Sequence, residues 1–368
     1  MNFHGIRSIY LHNFRSYSTF ILENISPVVV ITGENGTGKT NLLEAVSLLS
    51  PSKGLRKAKL HDLKNFSSLH DDWGVSVNLT HKLYGDMQCG VGNTGGENAK
   101  KLIRINGETL KKQNDISQII TQIWLTPSMD RFVVDSPSSR REFIDHVTSA
   151  LKPSHDDHLT VYELTLKERS KLLKEHNPSP IWLKTLEQKI AELGVLIVSE
   201  RFLTLDYLRT IIQTYLTNTG FPEFSLIFTG DLEHWIDTST QKEAEERFKD
   251  ILGMNRDVDS IRGGSTIGPH RSDLIFHFSP KNIPGHLCST GEQKILILGL
   301  ILSCIKLLEL RAEGIPILLL DEVIAHLDQH YRDILFDQIL KLKVQTWMTG
   351  IETETFSYFK DKATFYET

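Results

Sequence analysis

The sequence is poor in cysteine, has no long apolar run, and carries no low-complexity tail. Three cysteines (Cys89, Cys288, Cys304) in 368 residues have no metal-ligand spacing and cannot all pair. That excludes a disulfide scaffold and a zinc ribbon, and it predicts buried thiols in a reducing cytoplasm. The longest apolar stretch, Ile295 to Ile305, is far short of the ~20 residues a membrane helix requires, so no membrane partner is expected. Met1-Asn2-Phe3-His4 opens the chain without a basic segment leading into an apolar core, so no signal peptide is expected. With 40% hydrophobic and 24% charged residues, the composition is that of a globular protein and excludes a disordered or collagen-like chain. The length predicts two or three domains.

Net charge is −5, which argues against an indiscriminate nucleic-acid coat. Its distribution is uneven. Residues 1–112 hold 14 Lys+Arg against 9 Asp+Glu, and the remainder holds 27 against 37. A basic first third on an acidic whole suits nucleic acid meeting one face, and suits chance unevenness of solvated faces equally well.

The hydrophobic period changes along the chain. Val28-Val29-Val30-Ile31 is a continuous β-branched run, as in a strand covered on both faces. A glycine-rich turn follows, and a helical pattern begins at Asn41. Residues 73–110 read as antiparallel strands, with a turn over Gly90 to Gly96 and a hairpin at Asn106-Gly107. From about 136 to 217 apolar residues recur at spacings of 3 and 4, broken by Asn177-Pro178-Ser179-Pro180. This predicts a helical hairpin, either a short coiled coil or an ordinary helical subdomain. Short strands return after Phe221-Pro222, then a buried helix over 291–310 and a buried strand over Ile315 to Leu320.

Gly33-Glu34-Asn35-Gly36-Thr37-Gly38-Lys39-Thr40 matches G-x-x-x-x-G-K-[ST] between a predicted strand and a predicted helix. Glycines let successive N–H groups wrap an anion at a helix N-terminus. In that pattern Lys39 reaches the β- and γ-phosphates of a nucleotide and the Thr40 hydroxyl ligates Mg²⁺. Ile317-Leu318-Leu319-Leu320-Asp321-Glu322 delivers two acids to the end of an apolar strand. Asp321 is expected to hold the Mg²⁺ shell and Glu322 to polarise the attacking water. Ser289-Thr290-Gly291-Glu292-Gln293-Lys294 opens the buried helix. It reads as a second anion site built on Ser289, Gly291 and Gln293, or as a plain N-cap.

These three elements resemble the ATP-binding-cassette ATPases, in which a Ser–Gly–Gln signature faces ATP held by a partner molecule. Within them the chain resembles the RecF family of the SMC-related branch over nearly its whole length. Leu11 to Tyr17, Gly33 to Ala45, Ser136 to Asp145, Thr266 to Asp273, Ser289 to Lys294 and Leu318 to Asp328 carry the resemblance. The pattern departs from the family at Asp321-Glu322, where two aspartates are usual, and at Glu292, where Gln is usual. Thr349 stands where transporters place a switch histidine, and Trp124 to Asp130 is the candidate Q-loop.

The resemblance implies an α/β fold: a cassette head of residues 1–135 and 251–368, with 136–250 inserted as a mostly helical arm. It implies an ATP-induced homodimer on DNA at single-strand gaps and single-/double-strand junctions. It further implies work with RecO and RecR to load RecA, and slow, DNA-stimulated ATP hydrolysis as the off-switch. Lys53, Arg56, Lys57 and Lys59 are the candidate DNA contacts, with Lys100, Lys101, Lys111 and Lys112 behind them; a solvated loop explains the first group as well. The rival readings are a membrane transporter's ATPase subunit, another SMC-like ATPase, an OLD-type nuclease and a nucleotide-bound module without turnover. The long segment between Lys39 and Asp321, the short one after Asp328 and the presence of Glu322 speak against the transporter, the nuclease and the module in turn.

Overall fold

The computed structural model describes residues 3–93 and 100–368. In chain order the elements begin with β1 (Gly5–Phe14), β2 (Tyr17–Leu22), β3 (Val28–Thr32), α1 (Lys39–Ser47), β4 (Gly74–His81), β5 (Gly85–Asn93), β6 (Lys101–Ile105), β7 (Glu108–Thr109) and β8 (Ile120–Leu125). Then come α2 (Pro137–Leu151), α3 (Ser154–Leu172), α4 (Pro180–Thr214), β9 (Phe224–Thr229), α5 (Asp231–Thr238), α6 (Gln241–Met254), α7 (Arg256–Arg262), β10 (Asp273–Phe278) and β11 (Ile283–Pro284). The chain closes with α8 (Thr290–Arg311), β12 (Ile315–Leu320), α9 (Gln329–Lys341), β13 (Gln345–Gly350) and β14 (Ala363–Glu367). No helix among the described residues is long and apolar enough to cross a membrane.

Two compact units emerge. The first comprises Met1–Asp130, Tyr215–Phe221 and Ile297–Thr368. Its centre is a five-stranded sheet in the order β14-β3-β13-β12-β8, every pair parallel. All five residues of β3 are buried, as its unbroken β-branched run requires of a strand covered on both faces. A six-stranded antiparallel sheet, β2-β1-β4-β5-β6-β7, shares its core: Ile9 and Leu11 pack in one cluster with Val29, Ile31, Leu319 and Trp347. Asn106 and Gly107, at φ 50° and 86°, close the β6–β7 hairpin. The turn expected over Gly90 to Gly96 is a correction: Gly90 and Gly92 lie inside β5, paired with Ser76 and Gly74. A Cβ at Gly92 would stand 2.7 Å from the Trp73 carbonyl oxygen, so this glycine admits a close backbone approach instead of turning the chain. Residues 94–99 lie outside the described residues. All three cysteines are free and buried, and burial pushes the Cys89 thiol up to about 12.

The second unit comprises Arg131–Thr214 and Pro222–Leu296. It groups the chain differently from the three-segment expectation, because 251–296, expected with the head, packs with the helical segment. β10 pairs along its whole length with β9. Arg140 of α2 forks onto Asp273 at 2.7 and 2.8 Å. Buried Arg169 of α3 holds Asp259 at 2.8 Å and Glu187 at 3.1 Å. The spacing of 3 and 4 is realised as the antiparallel pair α3 and α4, and Leu183, Leu186, Ile190 and Ile197 are buried along α4.

His155 of α3 is fully buried in this unit, with Asp145 2.9 Å from one ring nitrogen and Glu200 2.5 Å from the other. Two carboxylate acceptors require a donor at both nitrogens, which only the imidazolium supplies. Burial opposes that charge, but the bonds to Asp145 and Glu200 outweigh it and raise the pKa of His155 above its ordinary value. Stability from this group is therefore complete below the unfolded value of about 6.5 and lost as pH rises through the raised folded value. His155→Gln is expected to cost about 3 kcal/mol at acidic pH, because it breaks a buried ion pair, and progressively less on the alkaline side. Urea melts of both proteins across pH test this; a pH-independent difference would exclude the imidazolium.

Candidate functional site

Three neighbouring strands of the parallel sheet end at one place. β3 runs into the glycine loop, β12 into Asp321-Glu322, and β13, lying between them, ends near Thr349. In parallel sheets the crevice beyond the strand C-termini is where ligands bind.

The loop needs its glycines. Gly36 and Gly38 adopt φ of 89° and 108°, where a side chain is strained. A Cβ on Gly38 would also come within 2.7 Å of the Ser16 hydroxyl oxygen. Gly38 then begins α1, whose first-turn N–H groups supply the positive end of the helix dipole. Lys39 is 3% exposed, and its ammonium donates to the carbonyls of Gly33 at 2.8 Å and Glu34 at 2.7 Å. The charge is thus folded back against the loop it belongs to.

Thr40 donates from its hydroxyl to Asp321 Oδ1 at 3.0 Å. The same oxygen accepts from the Thr349 hydroxyl at 2.8 Å. Thr349 Oγ1 in turn accepts the Glu322 backbone N–H at 2.9 Å. Glu322 sits at φ 51°, a left-handed turn that is uncommon for a glutamate. Thr349 therefore fixes both acids: it bonds the side chain of one and the backbone of the other. Sequence reasoning placed Thr349 at the switch position without this role.

Arg15 forks onto buried Glu44 at 2.8 and 2.6 Å and donates to the Asp62 carbonyl, so it braces α1. Arg56 donates to Asn41 at 2.8 Å and lies 3.4 Å from Glu44, whereas Lys53, Lys57 and Lys59 are exposed. The Lys101 ammonium turns inward to the carbonyls of Ser50 and Ser52, and burial pushes its pKa down to about 7. The Trp124–Asp130 stretch holds no glutamine; nearby Gln122 is buried and caps the end of α1 through the carbonyls of Val46 and Leu49. Sequence reasoning missed that Ser16 and Tyr17 lie on the glycine loop. Tyr17 donates to the Gly38 carbonyl at 3.3 Å, and the Asn41 amide donates to Ser16 at 2.9 Å. In the sequence, Phe14-Arg15-Ser16-Tyr17 interrupts the strand-like alternation of Ile6 to Asn13, which was the available signal.

In the second unit, Ser289 and Glu292 form a capping box at the start of α8. The Ser289 N–H and hydroxyl both donate to Glu292 Oε2 at 2.9 Å, and the Glu292 N–H reaches back to Ser289 Oγ at 3.4 Å. Lys281 lies 2.6 Å from the other Glu292 oxygen. The Lys281 and Ser289 contacts hold the Glu292 carboxyl down at about 2. Gly291 has open space where a Cβ would stand, and the Gln293 amide donates to the Cys288 carbonyl at 2.8 Å.

Residues 5–367 match the family model described as the RecF/RecN/SMC N terminal domain. The chain is 37% identical over 363 residues to the DNA replication and repair protein RecF of Mesorhizobium japonicum, covering 98% of this chain and 95% of that protein. It is 36% identical over 362 residues to the RecF of Brucella suis, covering 98% and 94%. Among solved structures, that of the recombination mediator protein RecF with ATPrS, in the RecFOR pathway, superposes with a TM-score of 0.85 at 25% identity, over 96% of this chain and 94% of the other. An SMC head bound to the C-winged helix domain of ScpA shares the fold, with a TM-score of 0.50 at 15% identity over 94% and 89%.

Proposed function

The chain belongs to the RecF family within the RecF/RecN/SMC group, and from that premise we propose that it is an ATP-driven DNA-binding switch of replication and repair. The observation that carries the proposal is the convergence of Lys39, Thr40, Asp321, Thr349 and Glu322 at the ends of three parallel strands.

The residues fit a nucleoside triphosphate with a divalent cation. Left-handed glycines open the loop backbone, and a hydroxyl and a carboxylate already face each other. Gly33 to Thr40 would cradle the phosphates of ATP; Thr40 and Asp321 would hold Mg²⁺, which neutralises phosphate charge. Lys39 exchanges its two loop carbonyls for phosphate oxygens, Asp321 keeps Thr40 oriented, and Glu322 accepts a proton from the attacking water. Lys39→Ala is expected to weaken ATP binding about 10- to 150-fold, the worth of the charged hydrogen bonds it removes. Titration with a fluorescent ATP analogue measures this, and an unchanged Kd would detach Lys39 from the site.

The finer reading follows what the family resemblance implies. ATP joins two copies, with Ser289, Gly291 and Gln293 of each facing the ATP of the other. The pair acts at single-strand gaps and junctions, works with RecR and RecO toward RecA loading, and is released by slow, DNA-stimulated hydrolysis in the cytoplasm. Lys53, Lys57 and Lys59 remain proposed phosphate contacts, with Arg56 serving chiefly to tie their loop to α1. Gel filtration with and without ATP and gapped DNA tests the whole; DNA binding indifferent to ATP would exclude the switch.

A further inference from the structure

The second unit holds a pocket of about 440 Å³ between α3 and the segment that follows α7. Lys167 and Lys171, one turn apart on α3, and Lys174, just beyond its end, line one wall. His270 and Arg271 line the other, with Ser170 between. The segment is tied down: the Ser170 hydroxyl donates to the Gly263 carbonyl at 3.0 Å, and Arg271 and His270 both bond the Ser265 carbonyl. The Lys174 ammonium stands 3.7 Å from where a Cβ of Gly263 would be.

Charge in the pocket is one-sided. Lys167 approaches Glu163 at 3.9 Å, both well exposed, a pair of little worth. Among the described residues, Lys171, Lys174 and Arg271 enter no ion pair, although Glu168 and Glu175 occur nearby in sequence. Cations at the last turn of α3 suit its helix dipole, which accounts for Lys171. It does not account for Arg271 across the pocket. Burial, and then the charges of Arg271, Arg141 and Arg201, hold His270 below its ordinary pKa, so it is neutral and does not add to the crowding.

We propose that this pocket binds a backbone phosphate of DNA, through Lys171, Lys174 and Arg271. The chemistry matches: a concave cationic wall with two exposed ammonium groups and one guanidinium held by the Ser265 carbonyl takes a phosphodiester without reading its base. The proposal rests on the DNA-binding reading above and adds to it a second contact region, outside the ATP-binding unit. Among the described residues the Arg271 guanidinium bonds the Ser265 carbonyl and no carboxylate, whereas its neighbours Pro269, Ser272 and Asp273 clasp Arg201, Glu233 and Arg140 within the unit.

The test is DNA affinity as a function of salt, with ATP present, for the wild type and for Lys171→Gln/Lys174→Gln. Both lysines are exposed, so the variant should fold, and its circular dichroism and ATP binding should be those of the wild type. We expect affinity to fall about tenfold at low salt on every sequence, and the log–log salt slope to shrink by up to about 2. Unchanged affinity and slope, with normal wild-type binding, would overturn the pocket alone. A wild type that binds no DNA would overturn the DNA reading and the pocket with it. A third arm titrates inorganic pyrophosphate into both proteins by calorimetry. Pyrophosphate binding lost in the variant while DNA binding is untouched would make this a small-anion site and likewise overturn the proposal.

Discussion

Glu322→Gln is expected to lower the rate of ATP hydrolysis about 10²- to 10⁴-fold, the usual worth of a positioned general base, while ATP binding stays within a few-fold of the wild type. The substitution removes a carboxylate and changes size hardly at all. It leaves the backbone N–H of residue 322 on Thr349 Oγ1, so the left-handed turn and the Asp321 contact persist. Lys39, Thr40 and Asp321 keep their partners, which is why binding should survive. Single-turnover hydrolysis beside nucleotide titration separates the two quantities. Wild-type turnover in the variant would move water activation to another residue. A loss of both binding and turnover would show that Glu322 shapes the site instead of serving in it.

The contrast between Glu322 and Ser289 shows what the sequence made legible. The glycine loop and the acid-ending strand were readable because each pattern has a single structural realisation: a β-branched run buried on both faces, then glycines, then a helix. Their meeting at one sheet edge follows from parallel topology alone. Thr349 was placed by position, but its two hydrogen bonds, one donated to Asp321 and one accepted from the Glu322 N–H, depend on β13 lying between β3 and β12, which no local pattern reveals. Lys101 is a candidate DNA contact by sequence, since charge in a sequence does not say which way a side chain turns. The carbonyls of Ser50 and Ser52 decide that, from residues distant in sequence. The pocket over α3 escaped notice for the same reason: Lys171 and Arg271 are a hundred residues apart in the chain. Compact grouping was obscured because the β9–β10 pairing joins segments across the expected boundary at 250.

Ser289→Arg is expected to abolish ATP-induced dimerisation while leaving ATP binding intact. On the proposed reading nucleotide affinity resides in Gly33 to Thr40, and Ser289 belongs to the other compact unit. In this protein the signature serine is not idle: its hydroxyl and N–H are both given to Glu292, and Glu292 is held by Lys281. For Ser289 to meet a phosphate of a second copy, that carboxylate has to yield its place, because two anions cannot share one helix end. In the proposed pair the γ-phosphate is the group that would offset the loss of the cap. ADP lacks it, so the capping box would re-form and the pair would loosen; on that reading ATP shifts the monomer–dimer equilibrium only by its differential affinity for the two states. Arginine at 289 loses the cap hydroxyl and fills the space of the phosphate, so dimer formation fails sterically whatever its charge. Glu292→Gln acts in the opposite sense: it keeps a capping side chain, removes the competing charge, and should strengthen ATP-induced dimerisation several-fold. Sedimentation velocity with saturating ATP and Mg²⁺ reads both variants. Full dimer in Ser289→Arg would refute the exchanged-site arrangement, and an unchanged equilibrium in Glu292→Gln would show that the carboxylate and the phosphate never compete.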